Sequence, residues 1–409
     1  MHTPLPDYPF ELALNASVAA AADYPESLKQ WFDREHFDTA REVISKWPAY
    51  QCSPLHSLTG LAGAIGVERV YYKDESQRFG LGSFKPLGGA YAVTRLLTRI
   101  IRERSGETVD AGELLQGRYA DQVSNITVTA ATDGNHGRSV AWGAKQCGCN
   151  CVIYIHQHVS SQREQAIQAL GAEVIRLQGT YDDSVRQAYQ SAKAPDWYII
   201  QDTTDGDEIE TTLDVMHGYT LLADEALQQI PPDQLPTHIF LQAGVGGMAA
   251  AVLACFWNRL GKQRPIAILT EPSRAACCYL SMQAGQPQVA PGELDTIMAG
   301  LACGEVSTLA WEVLKIGAHA ALAIDDQSAA DCMRLLAEGR YGDAPIVAGE
   351  SAVAGLVGLL AVMQDSSARD QLGLDSQSRV LVFGTEGATD PELYQRIVGK
   401  SAEEVRGEA

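Results

Sequence analysis

Short runs rich in β-branched and aromatic residues recur along the chain, and between them apolar residues return every three to four positions. The runs predict strands over 70–72, 126–130, 151–155, 173–177, 198–201, 238–242, 266–270 and 380–383. The periodic stretches predict helices over 137–146, 161–170, 181–192 and 246–259. Strands that alternate with helices in this way build a parallel α/β sheet system. Sites in such sheets form beyond the carboxyl ends of strands. Three segments occupy that position, at 132–137, 243–248 and 384–390. Two stretches look like connections: polar residues 104–124, and 229–237 with Pro231, Pro232 and Pro236. They suggest a large domain of residues 1–91 and 217–409 interrupted by a small domain of 92–216.

Composition narrows the function classes. A chain of 409 residues suits two domains better than one core. Hydrophobic residues at 46% and charged residues at 20% describe a folded globular protein. The formal net charge of −20 argues against nucleic acid or an anionic membrane as partner, since both need a basic surface. The start of the chain has no basic segment leading into an apolar run. The longest apolar stretch, 352–363, is broken by Gly355 and Gly358 and is too short to cross a bilayer. A cytoplasmic protein is expected, with its nine cysteines as reduced thiols. Cys147, Cys149 and Cys151 lack the spacing of a zinc site and read as small apolar residues leading into a strand; no metal is expected.

Lys85 lies in Ser83-Phe84-Lys85-Pro86-Leu87-Gly88-Gly89-Ala90. This pattern predicts a lysine at a helix start with its amine aimed into a cleft, and small neighbours that leave room for a flat ligand. Gln242-Ala243-Gly244-Val245-Gly246-Gly247-Met248 ends a strand and opens a helix. Its backbone N–H groups and the positive helix end suit a phosphate, with a dinucleotide pyrophosphate as the rival guest. Thr132-Asp133-Gly134-Asn135-His136-Gly137 also opens a helix, so its amides can hold a carboxylate. Asp133 there is either a helix cap or a general base. His136 reads as a packing or hydrogen-bonding residue. Thr385, at the end of the strand over 380–383, either shapes a turn or offers its hydroxyl to a pyridine nitrogen.

These segments, in this order, resemble the diaminopropionate ammonia-lyase family. The resemblance covers roughly residues 45–395 and rests on Tyr72-Lys73-Asp74-Glu75-Ser76, Phe84-Lys85, Gly88-Gly89, Thr132 to Arg138, Gln242 to Gly246, Ile297 to Glu305, Gly349-Glu350-Ser351 and Thr385-Glu386-Gly387. It implies the two-domain fold type II of the tryptophan synthase β-like superfamily: parallel-rich twisted sheets flanked by helices, with pyridoxal 5′-phosphate between the domains. Lys85 would carry that cofactor, with Phe84, Asn135, Gly244, Val245, Gly246, Gly247, Met248, Glu350 and Thr385 around it. Thr132, Asp133, Gly134, Asn135 and Asp202 would meet the substrate. Lys85 would act as base on the L-substrate and Asp133 on the D-substrate, with Asp202 also placed at the substrate.

The implied reaction is α,β-elimination of a small amino acid, first of all 2,3-diaminopropionate to pyruvate and ammonia, by a homodimer. A serine/threonine-type dehydratase, a dinucleotide oxidoreductase and a non-catalytic cofactor-binding protein remain as alternatives. Residues 204–214 depart from the family pattern. They carry Asp205, Asp207, Glu208, Glu210 and Asp214 without a basic residue, so they form either a solvated loop or a negative rim that favours a cationic substrate. Cys277 or Cys278 and Cys303 fall in loops near the predicted phosphate turn, as free thiols or a disulfide.

Overall fold

The computed structural model describes residues 5–19, 22–132, 134–203 and 209–408. Among these, eleven strands run in chain order: β1 Phe10–Leu14, β2 Leu55–Ser57, β3 Arg69–Asp74, β4 Thr127–Ala131, β5 Asn150–Ile155, β6 Glu173–Arg176, β7 Trp197–Ile199, β8 His238–Gln242, β9 Ile266–Pro272, β10 Ala320–Ile324 and β11 Arg379–Gly384. Every strand and helix read from the sequence is present, with its ends shifted by two residues or fewer. Three strands carried no readable signal. β10 is Ala-Ala-Leu-Ala-Ile, a composition that favours helix. β1 and β2 are antiparallel edge strands, and β2 has three residues.

The chain divides into two compact units: residues 1–33, 52–77 and 222–409 form one, and 34–51 with 78–221 the other. The first unit is built on a seven-stranded sheet of order β1-β10-β9-β8-β11-β3-β2. Its inner strands pair in parallel. β8 and β10 are buried along their whole length, so they read as continuous apolar runs rather than alternating ones. The apolar stretch near 352–363 is the helix Ala354–Gln364, which lies against this sheet. Added Cβ atoms at Gly355 and Gly358 would come within 2.8 Å of the Phe240 carbonyl and 2.5 Å of Thr270 Oγ1, so both glycines are needed for that approach. Among the described residues no helix is long and apolar enough to cross a membrane.

The second unit has a four-stranded parallel sheet of order β6-β5-β4-β7. The helix Pro86–Ser105 packs on the helix Asn135–Cys147 through glycine on both sides. A Cβ at Gly89 would fall 2.0 Å from Ser139 Oγ, and one at Gly143 would fall 2.7 Å from Ala90 Cα. The boundary predicted at 91/92 therefore falls inside a continuous helix, and residues 78–91 group with the four-stranded unit. The polar stretch 104–124 contains the short helices Ala111–Leu115 and Ala120–Val123, the first capped by the Asp110 carboxylate.

Candidate active site

Lys85 is the N-cap of the helix Pro86–Ser105, and Pro86 at the first helical position needs no N–H partner. Gly88 and Gly89 do not leave space for a ligand, as the sequence suggested. A Cβ at Gly88 would fall 2.4 Å from the Tyr219 ring, so the two glycines admit Tyr219 and Ser139 instead. Lys85 Nζ lies 2.6 Å from Asp202 Oδ2, and both side chains are 19% exposed. The amine also lies 5.5 Å from the Phe84 ring centre and 5.9 Å from that of Tyr219, within range of cation–π attraction. Phe84 and Tyr219 pack with ring centres 4.7 Å apart. Asp202 follows β7 and Lys85 opens a helix, and the fold brings them together across 117 residues.

Burial alone would raise the Asp202 carboxyl, but the Lys85 ammonium at 2.6 Å overrides it and holds the group well below the usual carboxylate range. His136 is buried, and its Nε2 lies 2.8 Å from the Ile200 carbonyl. A carbonyl only accepts, so Nε2 carries the proton. Burial, reinforced by Lys85 and opposed by Asp202, keeps the ring neutral. Its Nδ1 lone pair, 3.9 Å from Asp202 Oδ2, is buried without a hydrogen-bond partner. No residue pattern hinted at this lone pair, since tautomer and orientation depend on where Ile200 falls after folding.

Thr132 follows β4, and its Oγ1 accepts from the N–H groups of Gly134 at 3.0 Å and Gly137 at 3.2 Å. Thr132 thus shapes the turn into the helix Asn135–Cys147, with Gly134 as N-cap and Asn135 as the first helical residue. Asp133 lies outside the described residues. So do Asp205, Asp207 and Glu208 of the acidic stretch. The two remaining acids of that stretch are not an unpaired rim. Asp214 is buried and ion-paired with Arg99 at 2.6 Å, and Glu210 pairs with Arg99 at 3.0 Å. Both arginine and acids are helical, and their register was not visible in a charge count.

In the first unit, the turn 243–246 leads from β8 into the helix Gly247–Leu260. Gly246 has φ +86°, and that helix has no acidic residue in its first turn. The first N–H groups of a helix have no carbonyl of their own to bond, so Gly247 and Met248 start an anion-attracting end. A Cβ at Gly246 would meet Leu314 Cδ1 at 2.9 Å, and one at Gly244 would meet Cys303 Sγ at 2.9 Å. The Val245 carbonyl accepts from Ser307 N–H at 2.8 Å, which pins the turn. The Gly244 carbonyl accepts from Cys277 Sγ at 3.4 Å, so this thiol and Cys303 flank one glycine. The nine cysteines are free thiols.

Glu271, the acid nearest in sequence to what a dinucleotide's ribose would need, accepts from the N–H groups of Cys278 at 2.9 Å and Tyr279 at 2.6 Å. Burial pushes it up to about 8 against these donors. It serves the start of the helix Cys277–Ala284, which leaves the phosphate reading of the glycine turn without its dinucleotide rival. Thr385 is buried after β11, and its Oγ1 lies 2.9 Å from Gln242 Nε2. Glu350 is buried in the same unit.

Two of the five residues from Tyr72 to Ser76, Lys73 and Glu75, are buried and tied into the first unit. Lys73 is 0% exposed, with Nζ 2.7 Å from Glu225 Oε2, 2.8 Å from the Ser53 carbonyl and 2.8 Å from Gln229 Oε1. Glu75 accepts from the Ser53 hydroxyl.

Comparison with known proteins agrees with this anatomy. The diaminopropionate ammonia-lyase of Salmonella typhimurium is 39% identical over 380 residues, covering 89% of this chain and 93% of that protein. Its counterpart from Escherichia coli K12 is 40% identical over 377 residues, covering 91% and 94%. The crystal structure of the holo enzyme from E. coli matches with a TM-score of 0.86 at 36% identity, covering 97% of this chain and 98% of that one. The same E. coli enzyme solved with an aminoacrylate-PLP azomethine reaction intermediate matches at 0.85. Tomato threonine deaminase, at 18% identity and a TM-score of 0.70, shares the fold. Residues 46–384 match the family described as pyridoxal-phosphate dependent enzyme. A glycine turn opening a helix, a lysine at a helix start and this likeness over nearly the whole chain lead to one assignment: the protein belongs to the diaminopropionate ammonia-lyase family of pyridoxal-phosphate-dependent enzymes.

Proposed function

We propose that this pyridoxal-phosphate-dependent ammonia-lyase eliminates the β-amino group of 2,3-diaminopropionate, which with water gives pyruvate and two molecules of ammonia. The residues fit the cofactor. The turn Gly244, Val245, Gly246, Gly247 and Met248 offers N–H groups and a positive helix end to the phosphate, with no carboxylate in the first helical turn. Thr385 offers its hydroxyl to the ring nitrogen. Lys85 offers the amine that attaches the cofactor, with Phe84, Asn135 and Glu350 completing its surroundings. When bound, pyridoxal phosphate supplies an electron sink for the pair left when the α-proton is removed. The protein's part is to move that proton and to receive the leaving group. Lys85 Nζ takes the α-proton of the L-substrate and the Asp133 carboxylate that of the D-substrate. Thr132, Gly134 and Asn135 hold the substrate carboxylate at the helix start.

One observation carries the choice of leaving group: beside each other lie two acceptors, the Asp202 carboxylate and the His136 Nδ1 lone pair, while the one proton of the ring is spent on the Ile200 carbonyl. Asp202 is held ionised, and His136 turns an unprotonated Nδ1 toward it. A β-ammonium brings its own proton and departs as neutral ammonia, so an acceptor-only site suits it. A hydroxyl needs a proton donor to leave, and this pair offers none. The same reading makes the protein a cytoplasmic homodimer acting on a free amino acid, and light scattering at twice the chain mass checks the dimer.

The test is pyruvate and ammonia release from D- and L-diaminopropionate, D- and L-serine and threonine. Diaminopropionate should give two ammonia per pyruvate and exceed serine by at least about tenfold in kcat/KM, a difference of roughly 1.4 kcal/mol. Asp202→Asn should narrow that ratio, and Asp133→Asn should cut activity on the D-enantiomer far more than on the L. Faster release from serine would make the protein a dehydratase instead.

A further inference from the structure

We propose that Gln242 is a positioning residue that fixes the direction in which the Thr385 hydroxyl gives its proton, and so keeps the cofactor's ring nitrogen unprotonated. The inference rests on the reading that Thr385 faces that ring. Gln242 ends β8 and is 2% exposed. Its Nε2 has three neighbours: the Phe383 carbonyl at 2.7 Å, the Ala352 carbonyl at 3.2 Å and Thr385 Oγ1 at 2.9 Å. Two of these are carbonyl oxygens, which only accept. They force the amide nitrogen, not the amide oxygen, to face this side, and its two hydrogens go to the two shortest contacts, the Phe383 carbonyl and Thr385 Oγ1. Turning the amide over would set its oxygen against two carbonyl oxygens. Thr385 Oγ1 therefore accepts from Gln242, and its own proton must be given in another direction.

Thr385 is 3% exposed, so bulk water is a poor taker for that proton. A ligand atom with a lone pair is the natural taker, and an unprotonated aromatic nitrogen is one. A protonated nitrogen would offer a second donor to the same hydroxyl and leave the hydroxyl proton stranded in a buried place. Gln242 itself is held at some cost, because its Oε1 is buried without a hydrogen-bond partner. An apolar side chain of the same length would avoid that loss. Keeping the amide makes sense if its N–H side performs a task, and orienting Thr385 is the task the geometry shows. For the elimination, an unprotonated ring is a weaker electron sink. That suffices where the leaving group takes the electrons at once.

The experiment uses the holoenzyme and its apo-protein. Two quantities are read: affinity for pyridoxal phosphate, by titrating the apo-protein and following intrinsic fluorescence, and the pH midpoint of the cofactor's visible absorption change. Gln242→Met removes the donor, and Gln242→Glu reverses it, since a buried carboxyl beside two carbonyls can accept from Thr385. Both should weaken affinity by about tenfold and move the absorption midpoint by about one pH unit, a tenfold change in proton affinity. In a Thr385→Val background, Gln242→Met should add little to either shift, because the oriented hydroxyl is already gone. Equal shifts with and without the Thr385 hydroxyl would overturn the proposal and leave Gln242 a packing residue. So would a fall in melting temperature with an unmoved midpoint. Should Gln242→Met not fold, the Gln242→Glu arm decides by the same two readouts. If Thr385→Val alone changes neither quantity, the placement of Thr385 at the ring fails first, and the proposal with it.

Discussion

Two lysines, twelve residues apart in sequence, end in opposite uses. Lys73 lies inside the first unit, 0% exposed, with three oxygen partners within 2.8 Å. Lys85 lies in the second unit, 19% exposed, with Asp202 at 2.6 Å and two aromatic faces. Every proton of the Lys73 ammonium has an oxygen to bond, so the group is saturated and inert. Lys85 meets a carboxylate and two aromatic faces. An ion pair is common to both; burial separates them, since Lys73 is sealed inside the fold and Lys85, the lysine proposed to carry the cofactor, stays partly open.

Removing each lysine should therefore give opposite phenotypes. Lys85→Ala should lower turnover by at least about a thousandfold, the scale of a lost acid–base group, and abolish borohydride trapping of the cofactor on the protein. Its melting temperature should stay near that of the wild type. A trapped adduct of normal yield would undo the assignment. Lys73→Ala removes the cation that balances the buried Glu225 carboxylate, which should cost about 3–5 kcal/mol of stability by denaturant unfolding. Trapping at Lys85 should persist in whatever fraction remains folded. Loss of trapping without loss of stability would mean that Lys73 also acts on the cofactor.

A smaller effect sharpens the picture of how Lys85 is placed. Gly89→Ala pushes a methyl group into Ser139 Oγ and should cost about 1–3 kcal/mol, the usual range for overpacking. Gly89→Ala with Ser139→Gly should recover most of it. No recovery would point to a ligand, not a neighbouring helix, beside Gly89.

The smallest effect concerns pH. His136 is held below the ordinary imidazole range, so its stabilising contribution is present above the unfolded value of about 6.5 and fades as pH falls through the folded value. His136→Gln keeps a donor for Ile200 and should flatten the loss of melting temperature between about pH 6.5 and 5. His238 and His319 are depressed in the same direction and should keep part of the slope. An unchanged slope would mean that His136 is already charged in the fold.

The strand and helix pattern was readable because buried parallel strands are apolar throughout and the helices between them are amphipathic. Lys85 at a helix start was readable too, since Pro86 and the glycines behind it mark the place. What failed to show were relations between distant segments. Gly88 and Gly89 looked like space for a ligand because nothing in the sequence says that Tyr219 and Ser139 fill it. Glu210 and Asp214 looked unopposed because their counter-charge, Arg99, comes from more than a hundred residues away. At Gly246 the sequence could not show that an added Cβ would meet Leu314, nor that a φ of +86° demands glycine there. Gln242 stood at the head of the recognised turn, but an amide's direction is set by carbonyls from two other segments.

The two glycines behind Lys85 also bear on the order of folding. Each costs roughly 0.5–1 kcal/mol of helix stability relative to alanine, so the first turn of Pro86–Ser105 is weak as an isolated segment. Its later turns, with Leu96, Leu97, Ile100 and Ile101, hold the strong helix formers and the buried surface. The reactive end of that helix thus gains its shape from Tyr219 and Ser139 once those side chains are already in place. By that account the Lys85 amine, the nucleophile proposed above, is among the last parts of the second unit to be set, and a partly folded chain presents none in place.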